Sequence, residues 1–200
     1  MFRFNNIPQE TKKRLFSQIG MKIKLPAFAV EKDWWVVQTL SVLFQTEIGK
    51  HLVFKGGTSL SKGWNIIERF SEDIDLAVDR SFFGFEGSLG KNQRDKLRKK
   101  SKAYISEVLF PELQEKFESN GISNVKIELG EITSSDQDPV IINVYYPNVI
   151  ETPGYIKPRV QIEIGSRSLW EPFQESPILS FVDEYYPKTD FAQTPIYIPT

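Results

Sequence analysis

An α+β fold (mixed α/β), with a central mixed sheet flanked by helices, is the architecture that this 200-residue sequence predicts. Three observations lead there. Apolar residues recur at helical spacing near the N-terminus. Three segments in the body of the chain alternate in polarity, as half-buried strands do. Helices mixed with a largely antiparallel sheet then leave α+β or mixed α/β as the class.

Each element follows in order. Residues 9–19 form a short helix with Leu15, Phe16 and Ile19 on one face, and Pro26 breaks the next segment. From Val30 to Phe44 the spacing is helical, with Val36, Val37, Leu40, Leu43 and Phe44 as one apolar stripe. Gly49 is the expected stop, so the N-terminal helices occupy 9–48. His51–Phe54 is a short buried strand. Gly56-Gly57 ends it, and Thr58 or Ser59 caps a helix running to about Ile67. Asp73–Val78 is a second strand, and the Gly- and Phe-rich residues 81–90 are a loop. A long polar helix spans about Asn92 to Glu118, kinked or split by Pro111, with Asn120-Gly121 as its stop.

Three strands follow: Val125–Leu129, Val140–Tyr146 and Arg159–Ile164. The last places Val160, Ile162 and Ile164 on one face and Arg159, Gln161 and Glu163 on the other. From 171 onward prolines accumulate, and this tail is expected to wrap over a core spanning 50–170. The expectation is one domain over 1–200.

Composition narrows the chemistry. Hydrophobic residues are 40% and charged residues 26%, ordinary for a globular protein. The formal net charge is -1, so any nucleic-acid binding must come from a local patch. There is no cysteine, which excludes disulfides, thiolate zinc sites and cysteine nucleophiles. His51 is the only histidine, which argues against a His base or a multi-His metal site. No apolar run approaches the roughly 20 residues of a spanning helix, and Met1–Asn6 is not a signal-peptide stretch. The expectation is a cytoplasmic protein without membrane contact.

Two motifs carry chemistry. Asp73 and Asp75 lie two apart on a strand, so both carboxylates project from one face while Ile74 and Leu76 enter the core. Paired carboxylates repel unless a cation sits between them. Mg²⁺ (or Mn²⁺), bound by one or two carboxylates plus phosphate oxygens, suits such a pair. A solvated strand face is the alternative reading. Upstream, a strand ending in Gly56-Gly57 and followed by hydroxyl residues offers backbone N–H groups to phosphate. An ordinary strand-to-helix turn is the alternative there.

Together, Phe54–Lys62 (FKGGTSLSK) and Arg69–Leu76 (RFSEDIDL) resemble the signature of the AbiEii/AbiGii toxin family, polymerase-beta-like nucleotidyltransferases. Glu31–Trp35 is also similar to that family's lead-in helix. The resemblance is sharp over about 30–80 and looser to about 170. It implies a nucleotidyltransferase fold and transfer of NMP from an NTP to a hydroxyl acceptor. It also implies an RNA acceptor such as tRNA and a cognate antitoxin, in a toxin–antitoxin or phage-abortive system. Gly57-Thr58 would meet NTP phosphates, within a nucleotide-binding set of Lys55, Gly56, Gly57, Thr58, Ser59, Lys62, Arg69 and Ser71. Asp73 and Asp75 would be the metal pair. A third carboxylate from a later strand is Glu163, with Glu128 as the fallback by the same alternation. The resemblance also implies a lysine-bearing helix, an aspartate motif and a helical C-terminal region beyond that strand, and these are expected to fall outside residues 1–200.

A basic run, with Arg94, Arg98, Lys99 and Lys102 at its centre, is either a solvated helix face or an RNA-docking surface. Trp34, Trp35 and Trp64 are expected in the core. The competing function is a non-catalytic nucleotide- or RNA-binding module on the same fold.

Overall fold

The computed structural model describes residues 3–57, 59, 73–122, 124–154, 157–166, 173–186 and 195–199. Helix α1 (Gln9–Ile23) ends at Lys24, in the left-handed conformation, and α2 (Ala27–Leu43) starts behind Pro26. Proline is well placed there, because the first helical N–H groups have no intrahelical partner. The single apolar stripe expected on α2 is corrected. Every residue from Ala29 to Leu43 is buried, because α1 packs on one side and strands of the sheet on another. The helix also ends earlier than Gly49. Leu43 is its last residue, Thr46 Oγ1 donates to the Leu43 carbonyl at 2.6 Å, and Gly49 opens a 3-10 turn through His51.

Burial gives two acidic residues of α2 paired roles, whereas Gln38 Oε1 and Thr39 Oγ1 lie buried without a partner among the described residues. The Glu31 carboxylate accepts the backbone N–H groups of Val149 (2.7 Å) and Ile150 (3.0 Å). Asp33 accepts the Phe181 N–H at 2.8 Å, at the start of a short helix near the chain's end. Burial raises the Glu31 pKa despite its two N–H donors and the positive charge of Lys12. Removing this acceptor strands two N–H groups in the interior. Glu31→Ala is therefore expected to cost about 2–3 kcal/mol, and Glu31→Gln, which keeps an acceptor oxygen, distinctly less. Urea midpoints of the two variants check this ordering.

The sheet has five strands in the order β1-β2-β5-β4-β3. They are β1 (Leu52–Lys55), β2 (Asp73–Val78), β3 (Lys126–Leu129), β4 (Val140–Tyr145) and β5 (Arg159–Gly165). Only β2 and β5 run parallel, so the sheet is mixed, as expected. Alternation is strict on the two parallel strands: Ile74, Leu76, Val78, Val160, Ile162 and Ile164 are all at most 2% exposed. Their face packs against α2, whose Trp34 and Trp35 lie in the core as expected. Trp35 stacks on Tyr146, just past β4, with ring centroids 5.1 Å apart. Trp64 falls outside the described residues.

The long polar helix is two helices, α3 (Lys91–Tyr104) and α4 (Phe110–Ser119), joined by a π-helical turn at Ile105–Leu109. Pro111 explains the junction. It offers no N–H and would crowd the carbonyl of the preceding turn, and the wider π turn accommodates both effects. Asn120 caps α4, and Gly121, at φ 74°, provides the stop. Residues 81–90 are less irregular than expected, since Arg80–Phe83 form a 3-10 turn. Tyr104, at the end of α3, is pushed up to about 12 by burial and then by the Glu47 and Glu112 carboxylates. An unfolded tyrosine titrates near 10, so from there to about 12 the unfolded state loses a proton that the native state keeps. Native stability is expected to fall with pH across that window, and less steeply in Tyr104→Phe. Urea midpoints at about pH 9 and about pH 11 test it.

The proline-rich tail holds regular structure. Strands β6 (Phe173–Pro177) and β7 (Pro195–Pro199) pair antiparallel, with prolines at the strand ends where a missing N–H is tolerated. Between them lies α5 (Phe181–Tyr185), which packs on α1 and α2, while β7 lies against β1. Among the described residues no helix is long and apolar enough to cross a membrane.

Candidate active site

The face of the sheet opposite α2 carries the polar residues. Parallel pairing sets Asp75 directly beside Glu163 and Asp73 beside Gln161. Residues in register on neighbouring strands share a face, with Cβ atoms about 5 Å apart. The expected carboxylate trio is thus gathered on two adjacent strands. Asp73 is exposed, and Asp75 and Glu163 are half-buried. Burial, then the Glu163 charge, then the Asp73 charge raise the Asp75 pKa, and Lys55 partly offsets them. Lys55 is the register partner of Asp75 on the other side.

Glu128 stands apart. It shares the face, but β3 is three strands away from β2, and Lys126 Nζ holds its carboxylate at 2.6 Å. Strands are spaced about 4.8 Å apart, so Glu128 lies roughly 14 Å across the sheet from Asp75. The geometry therefore favours Glu163 over this fallback.

Gly56 closes over the site. Its φ is 78°, a region that residues with a Cβ rarely adopt. A Cβ there would overlap the Asp75 carboxylate, standing 2.8 Å from Cγ. Without a Cβ, the backbone at Gly56 approaches the Asp75 carboxylate closely. The chain turns helical at Gly56-Gly57, and Ser59 Oγ donates to the Gly56 carbonyl at 2.9 Å. Ser59 is 2% exposed, so it braces the glycine turn. Thr58, Lys62, Arg69 and Ser71 lie outside the described residues.

A row of hydrogen-bonded polar side chains supports Glu163. Asn143 Oδ1 accepts from Arg159, Arg159 donates onward to Gln161 Oε1, and Gln161 Nε2 donates to Glu163 Oε1, each at 2.8 Å. Alternation had placed Arg159 and Gln161 on this face, and only the neighbouring strand reveals the connection to Asn143. The chain of donors orients one Glu163 oxygen and leaves the other available.

The donor set suits a hard divalent cation. All the oxygens are carboxylates, their charges repel, and a lysine flanks them. Among the described residues no group of three or more His, Cys, Asp or Glu side chains, Asp73, Asp75 and Glu163 included, is placed to hold a metal ion by itself. The set is open, and Mg²⁺ typically completes such a shell with waters and substrate phosphates.

Of the basic residues on α3, Arg94 and Lys99 are exposed, while Arg98 and Lys102 are half-buried. Arg98 pairs with Asp95 and, at 3.5 Å, with Asp136; Lys100 donates to the Phe83 carbonyl at 3.0 Å. The run is therefore partly structural, beyond the uniformly solvated face that charge alone suggests.

Comparison with known families returns one description, nucleotidyl transferase AbiEii toxin of type IV toxin–antitoxin systems, over residues 39–200. No curated protein matches the chain. The match spans the strand pair, the glycine turn and the β5 carboxylate, and the chain belongs to the AbiEii nucleotidyl transferase toxin family.

Proposed function

We propose that the protein transfers a nucleoside monophosphate from an NTP to a hydroxyl of RNA, such as tRNA, with Asp73, Asp75 and Glu163 as its metal-binding carboxylates. The observation that carries this reading is the register pair Asp75–Glu163, with Asp73 on the same face and Gly56 against Asp75. Mg²⁺ or Mn²⁺ bound there would neutralise phosphate charge and lower the pKa of the attacking hydroxyl.

The protein's own part is positioning and electrostatics. Backbone N–H groups of the Gly56-Gly57 turn face the phosphate chain, and Lys55 adds positive charge beside Asp75. Gln161 holds Glu163 in one orientation. The acceptor oxygen bonds to the α-phosphorus as the bond to pyrophosphate breaks, and the hydroxyl proton passes to a carboxylate oxygen of this row. Thr58, Lys62, Arg69 and Ser71 belong to the same proposed nucleotide-binding set. A cognate antitoxin is the expected partner, as type IV family membership implies.

Incubation with each labelled NTP, total tRNA and Mg²⁺ tests the reading. Label in RNA is the expected result. Nucleotide bound without any transfer would instead favour the non-catalytic binding module.

A further inference from the structure

A second polar region lies past the ends of β2 and β5, and its lining includes none of the three carboxylates. A cavity of about 630 Å³ is lined by Arg80, Ser88, Lys91, Arg94, Arg98 and Ser166, among others. The parallel strands bring two of these together. Ala77 and Gly165 are register partners, so Arg80 and Ser166 follow the ends of β2 and β5 at the same edge of the sheet. The N-terminus of α3 completes the wall.

That helix start is unusual in charge. Its N-cap is Gly90, which has no side-chain acceptor, and its first turn holds no acidic residue. Lys91 and Arg94 occupy the first turn instead, although the positive end of a helix favours anions. The first N–H groups of a helix lack intrahelical partners. Independently, Ser166 is 1% exposed, and its Oγ has no hydrogen-bond partner among the described residues. Its backbone N–H is already given to Asp138 at 2.9 Å. Arg98 Nε is also buried without a partner among the described residues. Asp95, the acidic residue in the lining, is held by Arg98.

Asp95 lines the cavity, and Asp136 and Asp138 stand nearby, holding Arg98 and the Ser166 N–H, yet arginine, lysine and hydroxyl donors outnumber carboxylates among the lining residues. We infer that this cavity binds a phosphate group, held by the α3 N-terminus, Arg94, Arg80 and the Ser166 hydroxyl. Tetrahedral oxyanions match such a donor set, and arginine suits phosphate in particular. The cavity exceeds the size of a bare phosphate and lies in the range of small-molecule sites, so the group is carried by a nucleotide or a nucleic-acid chain. The inference uses none of the carboxylates and stands apart from the transfer reaction proposed above.

The test is calorimetric titration of the full chain with adenosine, adenosine 5′-monophosphate and a short oligoribonucleotide. Ser166→Ala removes an unpartnered hydroxyl, and Arg94→Gln alters an exposed side chain, so both variants should keep the wild-type thermal midpoint. The expected result is that the monophosphate outbinds adenosine by about tenfold or more and that each variant loses about tenfold in monophosphate or oligonucleotide affinity. Asp73→Asn/Asp75→Asn should leave that affinity unchanged, which separates this cavity from the carboxylate site. Tighter binding of the oligonucleotide through the same residues identifies a nucleic-acid phosphate; tighter binding of the monophosphate identifies a free nucleotide. If neither probe is weakened by Ser166→Ala and Arg94→Gln, the inference is overturned.

Discussion

Asp75→Asn is expected to lower nucleotidyl transfer by about a thousandfold or more while leaving the fold intact or slightly firmer. The two halves of this expectation have one cause. Asp75 is half-buried beside two like charges, Glu163 and Asp73, and these together with burial raise its pKa. Its ionised form is therefore uncomfortable in the absence of a cation. Asparagine keeps the shape and removes the repulsion, so the metal-free thermal midpoint should hold or rise. The same change removes the charge that a divalent cation needs. Single-turnover transfer, read beside a thermal melt, separates this outcome from misfolding. A variant that lost activity and stability together would place Asp75 in the architecture.

Gly56→Ala is expected to reduce transfer by about a hundredfold and stability by only about 1–2 kcal/mol. Two penalties act at one residue. The positive φ disfavours any Cβ, and the added atom falls on the Asp75 carboxylate, 3.0 Å from its Cβ. The carboxylate is the mobile end of a side chain, so it can yield. The cost then appears in catalysis, because misplacing a group in the reacting geometry by about 1 Å costs about that much in rate. Transfer kinetics together with urea unfolding give both numbers. An unchanged rate would show that Gly56 serves the turn alone.

Much of the sheet was legible in the sequence because alternation is a local signal. Asp73–Val78 and Arg159–Ile164 each declare a buried face and a polar one without reference to neighbours. Partnership was not legible. That Asp75 sits beside Glu163, and that Glu128 is isolated beyond β4, depends on strand order, which no single strand encodes. The stripe on α2 misled for a related reason. Spacing marks only the apolar residues, yet tertiary contacts also bury Glu31, Lys32 and Asp33 and use two of them to bind loop and helix N–H groups. The Gly56-Gly57 turn was visible in outline, as a strand end with backbone N–H groups to offer; the contact of Gly56 with Asp75 required the paired strands. The cavity at the α3 N-terminus was outside local reading altogether, since Ser166 lies 72 positions beyond Arg94 in the chain.

Asp73 and Asp75, with Glu163, are proposed to form one metal-dependent nucleotide site. Mn²⁺ binding in the presence of a non-hydrolysable NTP analogue, followed by electron paramagnetic resonance, tests it most directly. Wild-type protein should bind Mn²⁺ in a nucleotide-dependent manner, and the Asp73→Asn/Asp75→Asn double variant should lose that binding while retaining its fold. Undiminished, nucleotide-dependent Mn²⁺ binding in the double variant would contradict the assignment.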